Sequence, residues 1–168
     1  MDKLWISRCT SPKGPIAVML SQTVEYALRA VVCLAQNDQK SLTTQQMSVL
    51  TKVPANYLSK VLQLLGKAEL ISATRGIGGG YVLNVPATEL SILRVVDAID
   101  GLQRIKKCPL NLKSHGTNLC PLHHRLDHVM AEAEDAFRKT TIAELLAEPT
   151  RSTPLCETRA VQIGARAK

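Results

Sequence analysis

Residues 70 to 83 read Leu-Ile-Ser-Ala-Thr-Arg-Gly-Ile-Gly-Gly-Gly-Tyr-Val-Leu, and four glycines within five positions restrict what can be built there. Leu70–Arg75 carries strand-forming residues, and Tyr81-Val82-Leu83 does so again. Between them Gly76-Ile77-Gly78-Gly79-Gly80 can turn through torsions that side chains disfavour. A two-stranded hairpin is predicted. A phosphate-binding loop would need Lys-Ser/Thr and a helix after its glycines, and a dinucleotide-binding turn would lead from strand into helix. Here the glycines lead into a second strand, which sets both nucleotide readings aside.

What precedes the hairpin gives it a meaning. From Ser21, residues Val24, Ala27, Leu28, Val31, Val32 and Ala35 recur at three-and-four spacing, the mark of a helix with one apolar face, and Asn37-Asp38 closes it. Thr43 with Gln46 forms a capping box for a short helix that packs Met47 and Leu50. Pro54 suits the first turn of a third helix, which runs through Tyr57, Leu58, Val61, Leu62 and Leu65 to about Lys67. Helix, short helix, tight turn, helix is the layout of a helix-turn-helix, and a hairpin placed directly after it is a wing. The fold class expected is mainly α: a winged helix-turn-helix with a two-stranded wing. Hydrophobic residues are 45% of the 168 and aromatics only 3%, so the core must be built from Leu, Val, Ile and Ala, which suits helices.

After Pro86, Ser91 opens a helix containing Ile92, Val95, Val96 and Ile99, closed by Gly101. Residues 104–119 read as a loop. A long helix starts near Pro121 and carries Leu122, Leu126, Val129, Met130, Ala133 and Phe137 in a heptad-like stripe. A small domain has nothing obvious to cover this stripe, so a second copy is the natural partner and the helix is read as a dimerisation element. Thr141 and Glu144 cap a last short helix ending before Pro149. The organisation expected is a tail at 1–18, a DNA-binding domain at 19–103, a loop at 104–119, a dimerisation region at 120–148 and a disordered tail at 149–168. Met19 offers an alternative start to Met1.

Charge agrees with a nucleic-acid partner without proving one. Residues 1–107 hold 13 Lys and Arg against 7 Asp and Glu, whereas residues 108–168 hold 8 against 7. No signal peptide or membrane-length apolar run is visible, so a cytoplasmic location with no membrane partner is expected. There, cysteines are more often metal-binding, reactive or buried than disulfide-paired. The five are Cys9, Cys33, Cys108, Cys120 and Cys156. Cys33 reads as helix packing, and Cys9 and Cys156 fall in the tails.

Several motifs together resemble one family. They are Leu20-Ser21, Glu25-Tyr26-Ala27-Leu28-Arg29, Asn56-Tyr57-Leu58, Arg75-Gly76-Ile77-Gly78-Gly79-Gly80-Tyr81 and Val95-Val96-Asp97-Ala98-Ile99-Asp100-Gly101. Over about Met19 to Leu146 the chain resembles the Rrf2 family of bacterial transcriptional regulators, of the IscR and NsrR type. The resemblance implies a winged-helix domain, a long C-terminal helix crossing to a second subunit, and control, often repression, of iron, sulfur, redox or nitrosative-stress genes.

In such an arrangement the helix at 54–67 enters the major groove with its N-terminal end toward the bases. Pro54, Ala55, Asn56, Tyr57, Ser59 and Lys60 are the candidates. Asn56 could pair with an adenine edge, and Lys60 suits a phosphate. Tyr57 reads more readily as a core aromatic. Thr43, Thr44 and Gln45 open the preceding helix, whose N–H groups suit a phosphate. Arg75, beside Gly76 and Gly78, is placed to lower a cation into the minor groove. A homodimer would bind a palindromic operator on double-stranded DNA.

Cluster-bearing members of the family usually place three cysteines at intervals of six in the loop. Cys108 and Cys120 hold the outer places, Ser114 stands in the middle one, and His123 matches a histidine three residues after the last cysteine. Cys108, Cys120 and His123 could hold a 2Fe-2S cluster with a fourth ligand, for which Glu25 is the candidate that the resemblance suggests and His115 and His124 are others. Zinc on the same residues, or metal-free sensing by thiols near a helix start and near Lys106 and Lys107, are the open alternatives. An enzyme using Cys120 and His123 as nucleophile and base lacks any nameable orienting group or oxyanion donor, so no enzymatic activity is expected.

Overall fold

The computed structural model describes residues 20–38, 40–108 and 119–148. The expectations for residues 1–18, Met19, loop positions 109–118 and residues 149–168 lie outside them.

Helix α1 (Gln22–Gln36) starts where Ser21 Oγ accepts the Val24 N–H at 3.2 Å. Its buried face is wider than the expected stripe: Ala30, Cys33 and Leu34 join Val24, Ala27, Leu28, Val31 and Val32 in the interior. The width follows from its position, since α1 is packed by α2 (Thr44–Thr51), α3 (Ala55–Lys67), α4 (Ile92–Asp97), α6 (Ile142–Ala147) and strand β2 (Gly80–Leu83). Among the described residues it is the central pillar of the winged-helix fold. The Thr43–Gln46 capping box forms as expected, with Thr43 N–H donating to Gln46 Oε1 at 2.9 Å. Pro54 sits one place earlier than expected, at the N-cap of α3, where its carbonyl accepts from Tyr57 and Leu58.

Strand β1 (Ile71–Thr74) pairs antiparallel with β2, Ile71 opposite Leu83 and Thr74 opposite Gly80. The hairpin is bolted to the helix-turn-helix. Leu42 and Tyr81 exchange backbone hydrogen bonds at 3.1 and 2.8 Å, and Ser41 Oγ donates to the Gly78 carbonyl at 2.6 Å. This contact explains Gly80: a Cβ there would lie 2.7 Å from the Leu42 carbonyl carbon. Gly78 answers a different need, a φ of +79° in the turn.

Helix α4 is shorter than expected, because Ile99 lies in the turn after Asp97 and Gly101 adopts φ +66°. That turn carries Asp100, whose carboxylate accepts a short hydrogen bond from Ser21 Oγ and so ties the end of α4 to the start of α1. Helix α5 (Pro121–Lys139) is capped by Cys120, with Pro121 in the first turn. It buries no residue fully. Its apolar stripe divides: Met130 and Phe137 turn toward their own chain, whereas Leu122, Leu126 and Val129 are 44–63% exposed. Helix α6 returns to the core, where Ile142 is wholly buried and its N–H donates to the Leu90 carbonyl at 2.8 Å. No helix among the described residues is long and apolar enough to cross a membrane.

The segment leading to Cys108 is clasped to α5. Arg104 donates through Nε and Nη2 to both carboxylate oxygens of Asp127 at 2.7 Å, and through Nη1 to Glu134 at 3.1 Å. The Ile105 N–H donates to Asp127 Oδ1 at 2.9 Å. The fork geometry of a guanidinium matches a carboxylate in two places at once. The Arg104 hydrogen bonds hold the Asp127 carboxyl down to about 2, against an ordinary 3.8.

Two outcomes follow from these contacts. Gly80→Ala forces the wing away from Leu42 and should cost roughly 1–3 kcal/mol. Amide exchange at Leu42 and Tyr81 should quicken, and unchanged exchange with an unchanged melting temperature contradicts the bolt. Because the Asp127 pKa is depressed on folding, its stabilising contribution is complete above pH 3.8 and is lost as the pH falls toward about 2. The melting-temperature gap between wild type and Asp127→Asn should therefore close across that window; a gap constant with pH speaks against the clasp.

Candidate nucleic-acid interface and cysteine segment

The turn between α2 and α3 is fixed from three sides. Thr51 Oγ1 donates to the Met47 carbonyl at 2.7 Å and accepts from the Val53 N–H at 3.3 Å. Ser48 Oγ donates to the Val53 carbonyl at 2.7 Å. From α1, Arg29 donates through Nη1 to the Thr51 carbonyl at 3.3 Å, while its Nη2 pairs with Glu25. Such a turn presents the start of α3 at a set angle. Lys52 occupies it with φ +59° and its side chain exposed. No glycine or asparagine marks this left-handed position in the sequence.

At the start of α3, Pro54, Asn56, Ser59 and Lys60 are exposed and Ala55 is half-buried. The Ser59 hydroxyl is spent on its own helix, donating to the Ala55 carbonyl at 2.8 Å. Tyr57 differs from expectation: it is not a core aromatic. It is 53% exposed, with its ring edge-on to Tyr26 at 6.2 Å between centroids. The core place is taken by the next residue, Leu58, which is fully buried, and Tyr57 falls one step round the helix toward solvent.

Thr43, Thr44 and Gln45 lie at the opposite end of α2. Thr43 Oγ1 is committed to the cap, where it accepts from the Gln46 N–H at 3.3 Å. Thr43 and Gln45 are exposed and Thr44 is half-buried. The Ser41 and Leu42 contacts bring this helix start beside the wing, where Arg75, Gly76 and Gly78 are all exposed. Ile77, at the wing tip, was not singled out from the sequence and is completely exposed.

The cysteine segment is only partly assembled. Cys108 is buried, and Cys120 is half-buried at the α5 N-cap with its Sγ 3.3 Å from His123 Nδ1. Ser114 and His115 lie outside the described residues. Glu25, expected as a fourth ligand, is held by Arg29 within α1. Among the described residues no three His, Cys, Asp or Glu side chains gather as a metal site, so Cys108, Cys120, His123 and Glu25 are not brought together in the single chain. His124 and His128 are exposed on α5, and His128 lies 3.5 Å from Glu132. The Arg104 clasp was missed because its partners lie 23 and 30 residues away. The available signal was the spacing of Asp127 and Glu134, two helical turns apart on one face.

Comparison with known proteins identifies the family. A profile of the Rrf2 family, described as an iron-dependent transcriptional regulator, matches residues 20–148. The transcriptional regulator IscR of Vibrio vulnificus is 28% identical over 130 residues, 77% of each chain. The transcriptional repressor NsrR of Streptomyces coelicolor is 27% identical over 139 residues, covering 78% of this chain and 90% of the relative. The structure of T. potens IscR shares the fold, with a TM-score of 0.67 at 19% identity over 82% of this chain and 92% of that one. The winged helix-turn-helix and these matches together make the chain a member of the Rrf2 family of transcriptional regulators, a regulator and not an enzyme.

Proposed function

We propose that this regulator acts as a homodimeric, cytoplasmic repressor that grips a palindromic site on double-stranded DNA. The observation that carries the reading is that the start of α3, the start of α2 and the wing are all exposed, with the wing tied to the start of α2. Asn56 and Tyr57 read base edges in the major groove, Lys60 and the α2 N-terminus with Thr43, Thr44 and Gln45 bind phosphates, and Arg75 enters the minor groove with Gly76 and Gly78 keeping the approach clear. Pro54, Ala55 and Ser59 shape the surface of the helix start. Leu122, Leu126 and Val129, left exposed on α5, are the apolar seam that a second copy covers. The name of the NsrR relative supports repression.

The signal enters through the Cys108–Cys120 segment. Two thiols and an imidazole suit a 2Fe-2S cluster chemically, and the family description as iron-dependent supports it. Cys108, Cys120 and His123 would be its ligands, with Glu25 from a second copy as the candidate fourth. A cluster there would supply a redox- and nitric-oxide-sensitive group; the protein's part is to hold the two ends of the segment. The Cys120–His123 contact favours a second reading, in which the thiol itself responds without metal. Zinc on the same donors is the remaining alternative.

Arg75→Ala should weaken binding to a duplex selected by the wild-type protein by roughly 1–3 kcal/mol, and footprints should show two symmetric half-sites. Unchanged affinity removes the wing from the interface, and a single asymmetric half-site contradicts the dimer. Anaerobic purification decides the sensor: visible absorbance with iron and sulfide supports the cluster. Colourless protein lacking both after reconstitution rejects it, and zinc content then separates the two alternatives.

A further inference from the structure

Outside α5, the large apolar side chains most open to water among the described residues are Val49, Tyr57 and Ile77, all on the helix-turn-helix and its wing. Ile77 is the extreme case, fully exposed at 110% of its reference area. It stands between Gly76 at φ +100° and Gly78 at φ +79°, so nothing beside it on the tip has a side chain. A Cβ on either glycine would meet nothing within 4 Å, so open space surrounds the tip. The hairpin behind it is not loose: the Gly78 carbonyl is held by Ser41, and Tyr81 is paired with Leu42. A branched aliphatic side chain is thus held out on a narrow, anchored, glycine-flanked point.

Folding does not explain this placement, because Ile77 gains nothing from the core. The minor groove supplies a matching surface, since its walls are the apolar edges of the sugars and its floor differs between base pairs chiefly by the guanine N2 amino group. Arg75, two residues away on the same hairpin, brings the cation that such a groove attracts. Resting on the DNA-binding reading above, we infer that Ile77 is a specificity-determining contact. It packs against the sugar walls of the minor groove beside Arg75 and disfavours a guanine amino group beneath it. Arg75 supplies attraction that depends on salt; Ile77 supplies shape that does not.

The two contributions separate experimentally. The probe is a duplex selected from a randomised library by the full-length wild-type protein, titrated over a series of salt concentrations. Ile77→Ala should lower affinity roughly three- to tenfold, the loss of a few buried methyl and methylene groups, with the salt slope unchanged. Arg75→Ala should lower affinity and reduce the slope by about 1 for each wing engaged. Replacing the A·T pair under the wing by G·C should weaken the wild type more than Ile77→Ala, and an inosine·C pair, which lacks the amino group, should restore wild-type binding. Unchanged affinity of Ile77→Ala overturns the inference. So does a loss accompanied by a changed salt slope, or a change in oligomeric state without DNA, which would make the tip a protein contact. Failure of the wild type to select any duplex overturns the DNA-binding reading itself, and is distinct from failure of the variant comparison.

Discussion

The burial of α1 is the constraint on which the other elements depend. Val24, Ala27, Ala30, Val31 and Val32 are each at most 1% exposed, and α2, α3, α4, α6 and β2 all rest on this helix. The β-branched residues among them have few rotamers to lose, which stiffens this face. The helix-turn-helix is positioned by this packing. Arg29 extends the same helix outward to hold the Thr51 carbonyl, so the turn that aims α3 is fixed by the pillar and by local contacts together.

A winged helix must also keep its hairpin in register with its helices, and here backbone does that work. The Leu42–Tyr81 pair works only because residue 80 has no side chain. The motif of closely spaced glycines thus combines two requirements that look alike in sequence. One is conformational, at the turn. The other is steric, at the seam with the helix-turn-helix. The Ser21–Asp100 hydrogen bond plays a comparable part at the far end of the pillar, joining two motifs that lie 79 residues apart in the chain.

Much of the fold was legible because its signals are local. The Thr43–Gln46 and Thr141–Glu144 capping boxes, the helix opened by Ser91 and the hairpin each arise from neighbouring residues, and each appears as expected. The misreadings involve tertiary choices. Tyr57 and Leu58 are adjacent apolar residues, and only the packing of α3 on α1 decides which is buried. The α5 stripe looked uniform, yet contact with the rest of the chain divides it near Met130. The pairing of Glu25 with Arg29, one helical turn away, is a local contact that the spacing of the two residues carries. The Arg104 clasp joins charges far apart in sequence, which periodicity cannot pair. At the start of α3, the exposure of Asn56 and Lys60 was legible from helix phase, whereas the full exposure of Ile77 was not, because a turn position carries no periodicity that fixes its burial.

The Arg104 clasp bears on the entropy of the cysteine segment. Arg104 and Ile105 are fastened to Asp127, and Cys120 begins the very helix that carries Asp127. The two described ends of the stretch that carries both thiols are therefore attached to one helix. An unclosed chain would have to surrender end-to-end freedom before one ligand could bridge Cys108 and Cys120, at a cost that grows with the logarithm of loop length. Here folding has met much of that cost in advance. A group that bridged the two sulfurs would meet something nearer to a chelate than to two independent thiols, and release of the clasp would weaken its hold without touching either cysteine.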